Sequence, residues 1–139
     1  EGIIDIYMPD IKYGNSVIGK KYSNVPDYWE VVKEAVKEMH RQVGDLQVKG
    51  GIAVKGLLVR HLVMPNRISD SEKVFDFLAK EISCETYVNI MDQYRPVFKA
   101  RNFPEISRPI RRSEYKYAVE TALRKGLHRG FFPFPPTPW

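Results

Sequence analysis

Three apolar, β-branched runs separated by segments of helical periodicity predict an α/β fold, built as three successive βα units around a parallel sheet. The runs are Ile3 to Tyr13, Leu57 to Met64 and Tyr87 to Tyr94. Between and after them, apolar residues recur every three or four positions, over stretches long enough to carry the chain back to a parallel neighbour. Composition agrees, because 139 residues suit one domain and 43% hydrophobic content fills a core.

Ile3 to Tyr13 has few polar interruptions, the pattern of a strand buried on both faces. Gly14, Asn15 and Gly19 mark a loop after it. Trp29, Val32, Val36, Met39 and Val43 then form one helical stripe, with Pro26 and Asp27 at its start and Gly44 at its end. Glu30–Lys33, Glu34–Lys37 and Glu38–Arg41 pair along its outer face, each contributing about 0.3 kcal/mol. Leu46 to Leu57, broken by Gly50-Gly51, predicts a small hairpin leading into the second strand, which Pro65-Asn66 stops. Ser69-Asp70-Ser71-Glu72 matches a capping box with Ser69 at the N-cap, opening a helix that buries Val74, Phe75, Leu78 and Ile82. Arg95-Pro96 closes the third strand. A last helix, from about Ser113 to Lys125, turns Tyr115, Ala118, Val119, Ala122 and Leu123 to one face, and Gly126 caps it. Residues 1–130 form the domain. Residues 131–139 are a Pro/aromatic tail whose four prolines forbid helix and central strand.

Several functions are excluded early. Cys84 is the single cysteine, so the chain forms no intramolecular disulfide and supplies neither a zinc ribbon nor an iron–sulfur cluster by itself. No apolar run approaches the roughly 20 residues of a membrane span, and a reduced, cytoplasmic setting with no membrane partner is expected. The net charge of +5 is interleaved through the helices. Arg108, Arg111 and Arg112, and then Arg124, Lys125 and Arg129, cluster at helix ends, where cations are at home near C-termini, so no nucleic-acid partner is expected. There is no Gly-rich phosphate loop, nucleophile elbow or His/carboxylate metal spacing, hence no complete catalytic set and no metal site. The opening EGIIDIYMPD begins inside a strand-like run without an initiator methionine, which predicts a piece of a longer protein.

Function in α/β sheets gathers at the C-terminal strand ends. The first strand ends with Asp10 and Lys12, two apart and therefore on one face; a structural ion pair is the plain alternative. The second carries Arg60 and His61 side by side, which point to opposite faces. A guanidinium inside an apolar strand calls for a partner or an anionic ligand. The third has Asn89 and then Asp92, Gln93, Tyr94 and Arg95. Polar endings on three successive strands predict a site for a polar ligand. His40, His128 and Cys84 lie away from this rim and read as structural.

These segments carry a resemblance. Tyr7-Met8-Pro9-Asp10-Ile11-Lys12-Tyr13, Lys21-Tyr22-Ser23-Asn24, Met39-His40-Arg41-Gln42-Val43-Gly44, Gly56 to Asn66 and Tyr87 to Pro96 resemble the C-terminal half of radical S-adenosylmethionine proteins. The branch is that of homologues of the pyruvate formate-lyase activating enzyme. The resemblance covers residues 1 to about 125 and implies half of a partial (βα)6 barrel, units four to six. It implies that Asp10 and Lys12 contact S-adenosylmethionine, that Arg60 and Leu62 line the cofactor pocket, and that Gln93 stands near a position where activating enzymes place a histidine. It further implies a [4Fe–4S] cluster on a CxxxCxxC motif and hydrogen abstraction by a 5′-deoxyadenosyl radical. That motif is absent here, so the cofactors belong to the full-length parent and this piece alone is expected to be inactive, with neither cofactor bound.

The implied partners are the missing N-terminal half of the barrel and a glycyl-radical enzyme or other protein substrate. An uncovered sheet face and open edges predict self-association. The alternative is a stand-alone α/β module that binds a ligand or a protein without iron chemistry.

Overall fold

The computed structural model describes residues 2–132. The second apolar run builds the centre of its sheet. β1 (Ile6–Tyr7), β2 (Asp10–Ile11) and β5 (Tyr87–Met91) all pair in parallel with the long β4 (Ile52–Leu62). The amides of Gly56 and Arg60, on one edge of β4, donate to Asp5 and Pro9; that of Val63, on the other edge, donates to Met91. The order is therefore β1/β2, β4, β5. β3 (Gln47–Lys49) adds an antiparallel hairpin across Gly50-Gly51. Among the described residues this is a mixed α/β fold with an open, mostly parallel five-stranded sheet, consistent with a partial βα barrel.

Among the described residues, helices cover one face of the sheet. α2 (Tyr28–Val43) contributes Trp29, Val36 and Val43, α3 (Ser71–Phe77) contributes Val74, Phe75 and Phe77, and α4 (Arg112–Arg124) contributes Ala118, Val119 and Ala122. They meet Ile11, Leu57, Val59, Val88 and Ile90 of the sheet. A second cluster, Tyr13, Met64, Tyr94 and Ile106, caps the C-terminal strand ends.

Several local expectations are corrected. The first run is two dipeptide strands, interrupted at Met8-Pro9, and Ile3 and Ile4 are exposed. Proline lacks the N–H that a ladder needs, and this strand lies at an edge. The supposed loop after it holds α1 (Ser16–Ser23), N-capped by the Asn15 side chain, which accepts from the Ile18 amide at 3.0 Å. Gly19 is a packing residue rather than a turn, since a Cβ there would lie 2.5 Å from Tyr28. Glu30 accepts from the Ser16 hydroxyl instead of pairing with Lys33, whereas Lys37–Glu34 (3.6 Å) and Arg41–Glu38 (2.7 Å) do pair.

The hairpin strand and the second core strand are one continuous strand. At Gly56 its φ is +119°, and a Cβ would lie 2.4 Å from the Asp45 carbonyl oxygen, so the close approach admits only glycine. Ser69 caps no helix. Its hydroxyl donates to the Leu62 carbonyl (2.8 Å) and accepts from the Met64 amide (2.7 Å), and α3 starts two residues later. β5 ends at Met91 rather than Tyr94. On α4, Thr121 is buried where Leu123 was expected; Leu123 is 39% exposed. Phe131 is buried and Phe132 exposed, and the rest of the Pro/aromatic tail, 133–139, lies outside the described residues.

Candidate functional site

Parallel register brings Asp10, Arg60 and Asn89 into one row across β2, β4 and β5, because Asp10 faces Arg60 and Arg60 faces Asn89. Residues of alternate number share a face. The row therefore lies opposite Leu57, Val59 and His61, on the face without helices. The Arg60 Nε stands 2.8 Å from Asp10 Oδ1, and both side chains stay solvent-accessible, at 33% and 42%. Sequence reasoning asked for a partner to Arg60, and the structure supplies Asp10. Asn89 is exposed beside them.

The other predicted residues are placed less tightly. Lys12 is exposed; its amide donates to the Tyr28 hydroxyl at 2.9 Å, which fixes the backbone while leaving the ammonium free of any carboxylate among the described residues. Burial raises the Tyr28 phenol above its ordinary range, so it stays protonated there. Leu62 follows Arg60 on the same face and is half-buried against the Tyr13–Met64 cluster. Gln93 is not brought into the row. It lies beyond the end of β5, exposed, its Nε2 only 3.7 Å from the Met91 sulfur.

His61, adjacent to Arg60, turns into the helix-covered side. Its Nδ1 donates to the Ile11 carbonyl (2.7 Å) and its Nε2 accepts from the Ser71 hydroxyl (2.9 Å). Burial lowers its pKa to about 4, so it is a neutral tie between β4, β2 and α3. The ordering of Ile11 places Asp10 and Lys12 on either side of it. His40 and His128 are held by Asp45 (3.0 Å) and Glu85 (2.9 Å) on the outside of the fold. Arg108 pairs with Glu114 at 2.8 Å, and that pairing holds the Glu114 carboxyl down to about 2.

One region escaped the sequence reading. Tyr13, Tyr22, Met64, Tyr94, Phe98 and Phe103 line a cleft of about 230 Å³ beside the row, roofed by the loop of 3-10 turns after β5. Arg95, Lys99 and Arg101, with no acid between residues 94 and 103, were its only linear signal.

A cluster does not fit these residues. Cys84 is exposed ahead of β5, at the opposite end of the strand from the row, its thiol near the Ala79 carbonyl (3.6 Å). Among the described residues no three His, Cys, Asp or Glu side chains group as metal ligands. The row, with Lys12 beside it, presents cationic donors, a carboxylate and an amide on one accessible face. Among the described residues no helix is long and apolar enough to cross a membrane.

Fold and site together define an open α/β half-barrel with a polar row on its uncovered face. No family model and no solved structure matches the chain. It is similar to an uncharacterized protein of Methanocaldococcus jannaschii, 35% identical over 128 residues, 91% of this chain and 34% of that relative. The chain spans about a third of the length of the curated relative it matches.

Proposed function

We propose that this chain is the cofactor-pocket half of a radical S-adenosylmethionine enzyme of the activating-enzyme-like branch, working in the cytoplasm. The observation that carries the reading is the Asp10–Arg60 pair, set beside Asn89 on a sheet face that no helix covers. Buried ion pairs hold folds together, but a pair left one-third to two-fifths exposed at strand ends is available to a ligand. The length of the curated relative leaves room for further βα units, which would close over that face.

In this reading Asp10 accepts from ligand hydroxyl or ammonium groups, Arg60 and Lys12 hold a carboxylate, and Leu62 supplies an apolar wall. When bound, S-adenosylmethionine supplies the hydrogen-abstracting chemistry. The chain's own residues bind and orient it, and the [4Fe–4S] cluster is held by other parts of the parent protein. The Asp10–Arg60 pair keeps both groups pointed before the ligand arrives, which lowers the ordering cost of binding. The hydrogen donor would be a glycyl-radical enzyme or another protein. The same uncovered face, offered to a second copy, would drive self-association of the chain alone.

Titration of the full-length parent protein with S-adenosylmethionine, followed by amide NMR of this segment, tests the reading. Shifts confined to residues around Asp10, Arg60 and Asn89 are expected, and Arg60→Ala should abolish them. Resonances that stay in place at millimolar ligand, or that move equally in Arg60→Ala, would overturn it.

A further inference from the structure

We infer that the aromatic cleft at the C-terminal strand ends docks an acidic peptide segment by taking one apolar side chain between Phe98 and the tyrosines. The cleft adjoins the Asp10–Arg60 row through Lys12-Tyr13 but shares no lining residue with it, and the docking does not depend on any cofactor.

What the cleft accepts follows from what its walls can still bond. The Tyr94 hydroxyl donates to the Ile106 carbonyl at 2.8 Å, that of Tyr22 to Glu105 at 2.7 Å, and that of Tyr13 pairs with Ser23 at 3.1 Å. Each phenol is already committed inside the fold. Met64, Val97, Ala100 and Ile106 add hydrocarbon, and Lys99 is the one charged residue of the lining. Away from Lys99 at its edge, a polar group pushed into this space would lose its water and find no partner, whereas an aromatic or long aliphatic side chain loses nothing.

Phe98 marks the entrance. Its ring is 95% exposed, and its backbone sits at φ +52°, a left-handed conformation that a bulky residue seldom adopts. Such strain persists where the surrounding structure holds it, and it gathers at binding sites. Val97 beside it is 63% exposed.

The rim supplies the charge. Arg95, Lys99 and Arg101 are exposed, and none meets a carboxylate among the described residues; Lys12 is the same. Glu105 is already neutralised by Lys21, whose ammonium also lies 5.0 Å from the Tyr22 ring centre. An apolar centre with an unpaired cationic rim is the complement of an apolar side chain flanked by Asp and Glu. Single-stranded nucleic acid fits less well. Tyr13 and Tyr94 are buried, so the row of open ring faces on which successive bases stack is missing.

Fluorescence anisotropy with a labelled peptide, Asp-Glu-Phe-Glu-Asp, tests the docking without any cofactor. Binding should weaken about tenfold or more when the peptide Phe is replaced by Gly, since the anchor carries most of the energy. It should weaken likewise in Phe98→Gly, which relieves the left-handed strain and so keeps the fold, as an unchanged or higher melting temperature will show. Lys99→Glu combined with Arg101→Glu should lower affinity and flatten its salt dependence. The docking is overturned if the acidic peptide does not bind at millimolar concentration, if the Gly peptide binds equally, or if Phe98→Gly leaves affinity unchanged. Tighter binding of an oligothymidylate would overturn it in favour of nucleic acid.

Discussion

The two faces of β4 share one backbone and one set of strand partners, yet they do opposite things. Leu57, Val59 and His61 are 0–1% exposed beneath the helices, whereas Leu58, Arg60 and Leu62 on the other side remain half-open. Between Leu57 and Leu62 each face carries one polar residue. His61 spends both ring nitrogens on internal partners, while Arg60 spends its guanidinium on Asp10 within reach of water. The covered face therefore holds the fold together, and the uncovered face is kept available at modest energetic cost.

Substitutions that remove packing on the covered face should have the largest effect. Phe75 is fully buried and stands edge-on to His61, with ring centres 5.1 Å apart. Phe75→Ala should destabilise the chain by about 3–5 kcal/mol, read as a lower urea midpoint with an unchanged slope. A loss below about 1 kcal/mol would mean that this face is loosely packed.

Acid should act next, through His61. Its pKa in the folded chain is about 4, against an ordinary 6.5, because burial disfavours the cation. As pH falls through 6.5 the unfolded chain takes up this proton and the folded chain does not. Stability is thus complete above that value and is lost progressively down to about pH 4. At about 1.4 kcal/mol per unit, the loss is on the order of 3 kcal/mol. Denaturation midpoints should rise with pH between 5 and 6.5 (a range about one unit above the folded pKa), and His61→Gln should flatten that rise. A flat wild-type profile there would show that His61 is not a buried neutral tie.

On the open face the effect should be smallest. Arg60→Ala should change stability by less than about 1 kcal/mol, since a half-exposed pair gains little over water. A loss comparable to that of Phe75→Ala would make Arg60 a structural residue and remove its claim on a ligand.

Much of this contrast was legible in the chain. Period-two alternation put Arg60 and His61 on opposite faces, and three strand-like runs with helical spacers implied parallel neighbours. Asp10 and Arg60 were singled out separately, and register joined them. The aromatic cleft was not legible, because its walls come from residues 13, 22, 64, 94, 98 and 103, which no local pattern links. Nor was α1. Its glycine and short length look like a loop until Tyr28 is seen packed on Gly19.

The amino-acid sequence by itself determined the order of strands and helices, the stripes that face the core and the polar character of the strand ends, because these follow from side-chain periodicity within a few residues. Only the tertiary structure decided that, among the described residues, one sheet face stays uncovered, that Asp10 answers Arg60, and that distant tyrosines close a cleft. Those outcomes depend on which elements meet in space, and the contacts that settle it span tens of residues along the chain.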